Sequence, residues 1–242
     1  MACRVASIVV VAVFLLVQAV AEEPKPCCWI SQMYGACMVQ EDKELEDGTI
    51  VVEDTLAEFA YDKTFSAKAF IFTETFENGT QLIARIVELS DLGIAYFIQD
   101  NQGQTKCSKK RIPARFKPNC VPEAARFWSN ATLGDHALNG NIWERNKFED
   151  GLLTNTTYLM AADYCVPLSV NHVVYNLNPS PPEVDLVTYD YADVRLGICD
   201  RDKFFHIPEE CSQSQDAMTP FMEKKLKQRQ MMEMPFRLDT LM

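Results

Sequence analysis

Residues Thr55–Lys110 read TLAEFAYDKTFSAKAFIFTETFENGTQLIARIVELSDLGIAYFIQDNQGQTKCSKK, and every breaker in this stretch is a turn signal. Phe70, Phe72 and Phe76 alternate up to Asn78-Gly79, and Leu82, Ala84 and Ile86 alternate after it. Asn-Gly suits a tight hairpin because both residues tolerate φ > 0. Tyr61-Asp62-Lys63, Ser90-Asp91-Leu92-Gly93 and Asp100-Asn101-Gln102-Gly103 recur at intervals of about ten residues, the spacing of an antiparallel meander. About four consecutive strands are expected here. Ile71, Ile83, Val87, Ala95 and Phe97 fall on the parity opposite to the phenylalanines, so neither face reads as wet. A second sheet, a partner subunit or an apolar ligand would each supply the missing cover.

Working outward, Met1–Ala21 has one charge, Arg4, an apolar run from Ala6 to Val17, and Ala19-Val20-Ala21 before Glu22. That is the form of a secretory signal, and its core is shorter than the roughly 20 residues of a spanning helix. A secreted, extracellular product without a transmembrane segment is expected. The sequons Asn78-Gly79-Thr80, Asn130-Ala131-Thr132 and Asn155-Thr156-Thr157 mark candidate glycosylation sites on that route, whereas Pro179 disqualifies Asn178. The formal charge of −11 becomes −12 once Arg4 leaves with the signal, an acidic balance that argues against nucleic acid and anionic membranes as partners.

Removing Cys3 from the nine cysteines leaves Cys27, Cys28, Cys37, Cys107, Cys120, Cys165, Cys199 and Cys211. An even number in an oxidising compartment predicts four bridges, and no C-x-x-C pair suggests zinc. The acidic segment Cys28–Asp47 reads as a solvated loop leading to the first strands. Pro113, Pro118 and Pro122 imply a long connection with a helical turn at Glu123–Phe127. Strands are expected again at Asn141–Asn146, Thr157–Ala162, Val166–Asn176 and Val184–Ile198. Residues 213–242 are basic, methionine-rich and without cysteine, which predicts a disordered or weakly helical tail that the 22–212 domain does not need.

Catalytic signatures are missing: there is no G-x-S-x-G, H-E-x-x-H, phosphate loop or dinucleotide fingerprint. His136, His172 and His206 are scattered, and Asp190, Asp193, Asp200 and Asp202 lack the spacing of an EF-hand loop. A non-enzymatic protein is expected, with calcium the one cofactor left open.

Four segments together resemble the ependymin-related family. They are Glu58-Phe59-Ala60-Tyr61-Asp62 through Phe72, Ala95–Asp100 with Cys107-Ser108-Lys109, Asp163-Tyr164-Cys165-Val166-Pro167, and Asp193–Ile198 with Phe204–Pro208 and Cys211. The resemblance spans roughly Pro26 to Ser212. It implies an all-β fold of two antiparallel sheets folded over an apolar pocket, similar to the half-barrel of bacterial lipoprotein carriers. It also implies homodimerisation, calcium association, and either a hydrophobic or lipid-like ligand or adhesion to the extracellular matrix. By the same resemblance Cys107 pairs with Cys211, and Cys165 pairs with Cys27 ahead of Cys28. A bridge of the family's vertebrate members has no counterpart, because no cysteine lies between Cys37 and Cys107 or after Cys211. The partners of Cys28, Cys37, Cys120 and Cys199 stay open.

Overall fold

A computed structural model describes residues 23–44, 49–75, 79–101, 103–134, 137–178, 183–213, 219–223 and 225–226. The signal segment and Asn78 lie outside them. Eleven strands follow in chain order: β1 (Gln32–Glu44), β2 (Ile50–Asp62), β3 (Ala67–Thr75), β4 (Gln81–Leu89), β5 (Ile94–Asn101), β6 (Gln104–Arg111), β7 (Arg126–Leu133), β8 (Leu138–Glu149), β9 (Leu152–Ala161), β10 (Pro167–Asn176) and β11 (Glu183–Leu196). Two short helices, α1 (Arg201–Phe205) and α2 (Glu210–Gln213), come after β11.

The strands form one antiparallel sheet in the order β6-β5-β4-β3-β2-β1-β11-β10-β9-β8-β7, which is open because β6 and β7 are its two edges. The fold is all-β as expected. Its two halves, β2–β6 and β7–β10, are continuous through the β1–β11 pair in the middle. The turns of the meander stand where the breakers placed them: β3 and β4 pair from Thr75↔Gln81 to Ala67↔Leu89, and a 3₁₀ turn at Ser90–Leu92 joins β4 to β5. Between β8 and β9, Asp150 and Gly151 both take positive φ, the geometry of a type I′ hairpin.

Two expectations are corrected. Cys28–Asp47 is no loop, since Gln32–Glu44 is the central strand of the sheet, with Met33, Cys37 and Val39 alternating onto a buried face beneath the acidic composition. At Glu123–Phe127 a turn gives way directly to β7, because Phe127 is needed opposite Trp143 in the β7–β8 ladder.

Gly35 sits where β1 meets a bulge in β11: Tyr34 opposes Arg195 and Ala36 opposes Ala192, so that Asp193 and Val194 stand against Gly35 alone, one extra residue on β11. A Cβ at Gly35 would lie 3.0 Å from the Ala192 carbonyl oxygen and 3.1 Å from the Val194 Cα, so backbone would have to move to admit a side chain. The bulge brings Val194 onto the same apolar cluster as Phe59.

The two-faced apolar pattern has its explanation in the same chain. One face, here called inner, carries side chains from both halves of the sheet in a single buried cluster that includes Val39, Phe59, Phe70, Phe72, Ile86, Phe97, Trp143, Tyr158 and Tyr189. The opposite, outer face of β2–β6 carries Ala60, Ala69, Val87, Ile98 and Cys107, buried under Phe204 and Cys211. Ala95 and Phe97 therefore join the phenylalanines of β3 on the inner face, because Phe97 registers with Ile86 and Ile86 with Phe70.

The outer cover is fixed at two points. The Cys107–Cys211 disulfide ties α2 to β6, and Arg201 of α1 donates to the buried Asp62 carboxylate at 2.5 Å. Asp62 also accepts from the backbone N–H groups of Thr64 and Phe65 at 3.0 and 3.1 Å, and from Gln32 Nε2 at 3.2 Å. The Arg201 guanidinium lies 3.8 Å from the Phe65 ring centroid. One carboxylate thus closes the β2–β3 turn and docks the C-terminal segment. Asp62→Ala should cost about 3 kcal/mol, since it orphans a buried turn and an arginine together. Thermal unfolding followed by circular dichroism should show a fall on the order of 6–12 °C.

Candidate functional site

The inner face is graded in polarity from rung to rung. Arg145, Thr156, His172, Val187 and Glu41 are successive register partners across β8, β9, β10, β11 and β1. One step further along the strands lie Trp143, Tyr158, Val170, Tyr189 and Val39, again in register. Further still, Cys37, Ala57, Phe72 and Ala84 align across β1 to β4, followed by Gly35, Phe59, Phe70, Ile86 and Phe97. The β8–β10 wall therefore bears donors among aromatic rings, while the middle rungs of the β2–β5 wall are hydrocarbon, flanked by Thr55, Glu74 and Gln99 toward one end and by Tyr61, Lys68 and Glu88 toward the other.

Several of those donors are buried. Thr156 Oγ1 and His172 Nδ1 are hydrogen-bonded at 3.0 Å, and the His172 ring meets Tyr189 edge-on. Trp143 Nε1 and the Tyr158 hydroxyl are buried without a well-formed hydrogen bond, although Tyr158 stands near Thr156 and Arg145. Burial pushes the phenols of Tyr158 and Tyr189 well above the ordinary tyrosine value, and that of Tyr61 up to about 12 against a hydrogen bond with the Asn119 backbone that lowers it. The Cys37 thiol is likewise pushed up, first by burial and then by Asp190.

Two covers lie over this face, and they are held differently. At one end the connector between β6 and β7 is covalently stapled. Cys28 is bonded to Cys120 and Cys27 to Cys165, and Trp29 N donates to the Asn119 carbonyl at 2.8 Å. Trp29 there packs on Phe59, Tyr61 and Tyr191, and Lys68 Nζ donates to Asn119 Oδ1 at 2.8 Å beneath Phe116. At the other end the C-terminal segment lies over β2, β3 and β5. Residues 220–223 and 225–226 are helical, Thr219 Oγ1 donates to Gln99 Oε1 at 2.6 Å, and Met222 is 2% exposed. Lys225, fully buried, donates to Thr55 Oγ1 at 3.2 Å, pairs with Glu74 at 2.8 Å and lies over the rings of Phe72 and Phe221. Residues 219–223 and 225–226 thus place a methionine and a paired lysine at defined points of the core.

The remaining residues singled out from sequence fall as follows. Cys107 is bonded to Cys211 and Cys165 to Cys27. Three bridges form where an even count suggested four: Cys37 and Cys199 are free thiols. The sheet itself separates them, Cys37 facing inward in mid-β1 while Cys199 follows Ile198 into the segment that covers the outer face. Asn130 is exposed on β7. Asn155 is half-buried on β9, with Nδ2 donating to Glu144 Oε1 at 2.7 Å and Asn146 Oδ1 at 2.8 Å. His172 belongs to the inner face, His206 caps α1 and His136 lies outside the described residues. Among the described residues no group of three or more His, Cys, Asp or Glu side chains is placed to hold a metal ion, and no helix is long and apolar enough to cross a membrane.

The family model for Ependymin matches residues 78–211, more than half of the 242-residue chain. The chain belongs to the ependymin family. Matching that model from β4 to Cys211, this ependymin-family chain carries the Cys107–Cys211 staple within the matched region and the N-terminal pair Cys27 and Cys28 outside it. No curated protein matches the sequence. Among solved structures, the LolA superfamily protein NE2245 from Nitrosomonas europaea is similar over 72% of this chain and 90% of its own, at 8% identity and a TM-score of 0.30, too distant a likeness to carry an inference.

The inner face yields two measurable consequences. Tyr61, Tyr158 and Tyr189 have raised values in the folded state, so their contribution to stability is intact below about pH 10, where the unfolded phenols ionise, and is lost as pH rises beyond it. Absorbance at 295 nm should show the exposed tyrosines titrating near pH 10 and the buried ones appearing together with unfolding above about pH 11. Separately, Lys225→Ala removes the ion pair and the packing that hold the C-terminal helix. Chymotryptic cleavage at Phe221 should accelerate on the order of ten-fold, because cleavage follows the population of the undocked segment.

Proposed function

We propose that this protein is a secreted, disulfide-bonded and glycosylated binding protein that holds an apolar or amphipathic ligand against the inner face and does not transform it. The observation that carries this reading is the single apolar face built by both halves of an open sheet, closed at one end by a disulfide-stapled connector and at the other by a segment held without any covalent tie. Such a face gives a long hydrocarbon chain about 25 cal/mol of transfer free energy per Å² it removes from water. The gradation from the phenylalanine rungs to the Trp143 and Tyr158 rung suits an amphiphile better than a plain hydrocarbon. Glycosylation fits Asn130 better than Asn155, whose amide nitrogen would keep one hydrogen for the two acceptors it now serves.

A second reading, a calcium-associated matrix or cell-adhesion glycoprotein acting as a homodimer, is favoured by one feature of the outer face. Ile50, Val52 and Leu56 of β2 are exposed on one side of the strand, and Met38, the register partner of Leu56, is exposed beside them. Exposed apolar side chains gathered on one side of a strand, here parted by the exposed Asp54, are the kind of surface that serves a protein contact.

Secreted protein extracted with organic solvent should release a co-purified lipid, and titration with cis-parinaric acid should saturate at micromolar concentration. Ala84→Trp fills the inner face beside Phe72 and should abolish that saturation while the protein is still secreted. Absence of both lipid and saturable binding would leave the adhesive reading.

A further inference from the structure

Residues 101–122 contain Lys106, Lys109, Lys110, Arg111, Arg115 and Lys117 and no aspartate or glutamate. Set against −12 for the chain without its signal, these six charges leave −18 for everything else, so a short basic region stands apart from an acidic remainder. The fold puts that region on one border. β6 is an edge of the sheet, and apart from Cys107 and Ser108 its eight residues are exposed, over about 27 Å at the rise of an extended strand. Lys106 and Lys110 share the parity of Ser108, which registers with Phe97 on the inner side, and Arg111 shares that of Cys107 on the outer side. No strand lies beyond β6, so long side chains of both parities reach its open border. The connector continues the pattern. The Ile112 N–H donates to the Gly93 carbonyl at 2.9 Å and the Arg115 N–H to the Pro113 carbonyl at 2.7 Å, which keeps the exposed Arg115 close to the end of β6 and leads to the exposed Lys117. Among the described residues, none of Lys106, Lys110, Arg111, Arg115 and Lys117 is paired with a carboxylate. Asp100, at the far end of the β5–β6 hairpin, accepts from Thr105 at 2.6 Å and acts on Arg85. Charges on an edge strand also keep other strands from pairing with it. That role does not account for this set, because the opposite edge, β7, carries Arg126 as its one charged residue, and the basic run goes on through a connector that has no edge to protect.

We propose that β6 and the first residues of the connector bind a sulfated polysaccharide, with Lys106, Lys110, Arg111, Arg115 and Lys117 contacting its sulfate groups. A linear polyanion follows an extended border and touches the basic region alone. A planar anionic membrane would bring the acidic remainder of the molecule against its own charge. The guanidinium groups of Arg111 and Arg115 offer paired donors to an oxyanion, and the lysines supply point charges beside them. The inference takes from the reading above only that the protein is secreted, and it is independent of the apolar ligand.

The test titrates the full secreted chain with a heparin octasaccharide at about 0.15 M NaCl. Binding should saturate, and log Kd should rise against log [NaCl] with a slope of about 3, as counterion release by the five cations requires. Hyaluronan, which carries carboxylates and no sulfate, should bind at least about ten-fold more weakly. The triple variant Lys106→Gln/Lys110→Gln/Arg111→Gln should weaken the octasaccharide at least about ten-fold. Lys63→Gln/Arg126→Gln/Arg195→Gln removes the same charge from three other exposed positions and should change the affinity less than about two-fold. Circular dichroism should show both variants melting within about 3 °C of the wild type. Should the first variant melt lower, lysine acetylation of the wild type decides instead: the octasaccharide should shield Lys106 and Lys110 and leave Lys63 reactive. No binding of heparin at this salt concentration, equal binding of hyaluronan, equal effects of the two triple substitutions, or unshielded Lys106 and Lys110 would overturn the proposal. Tighter binding to vesicles of phosphatidylcholine and phosphatidylserine at roughly 3:1 than to the octasaccharide would also overturn it and assign the border to a membrane. Heparin should leave the titration with cis-parinaric acid unchanged, so failure of this surface and failure of the apolar face are read separately.

Discussion

The pairing of the first strand with the last holds this molecule together as one sheet. β2–β6 and β7–β10 are each runs of neighbours joined by short turns or connections and could form locally; β1 against β11 is the contact that spans some 150 residues and makes their apolar faces continuous. Everything on the inner face depends on that register, because a slip of one residue would turn Cys37 and Val39 outward and Met38 inward. The bulge opposite Gly35 pins it: the close approach of Ala192 and Val194 admits only a residue without a Cβ, and the one extra residue of β11 returns Val194 to the core.

An open sheet with two apolar faces must be covered twice, and this chain does so with its own connections. The outer face takes the segment after β11, docked by one arginine on one buried carboxylate and by one disulfide. The inner face takes the connector after β6 and the C-terminal helix. The covers differ in how they can be removed: two are cross-linked, whereas the helical residues 220–223 and 225–226 are held by Thr219, Lys225 and apolar packing. Local opening free energies follow such differences, and the least anchored cover is the one that opens first.

The sequence made the meander legible because its punctuation is strong: Asn78-Gly79, Ser90–Gly93 and Asp100–Gly103 each read as a turn. It hid β1 because the strand's acidic residues outweigh, in composition, the alternation of Met33, Cys37 and Val39, and only the pairing of β1 on both sides makes those charges tolerable. It also misplaced Phe97, since residue parity cannot be carried across a turn of unknown length. The inner-face polar cluster was unreadable, for Trp143, Tyr158 and Arg145 come from strands whose register depends on hairpins elsewhere. Lys225 was hidden for a similar reason: a lysine in a basic tail reads as solvated until Glu74 and Phe72 are found beneath it. The resemblance to ependymins supplied what periodicity could not, the order in which distant cysteines meet.

Cys27 and Cys28 are adjacent, yet one reaches Cys165 and the other Cys120. In an extended segment successive side chains point to opposite sides, so exchanging the two partners would require turning the whole N-terminal segment over. Neither loop is short, the sequence separations being 138 and 92 residues. Correct cross-linking therefore waits until β1–β10 have assembled, and an early oxidation between neighbours in sequence would trap the chain before the central strand is in place. Maturation of this protein is consequently a problem of timing as much as of stability: its yield in a secretory compartment should be governed by how quickly wrong disulfides are reshuffled relative to how quickly a high-contact-order sheet closes.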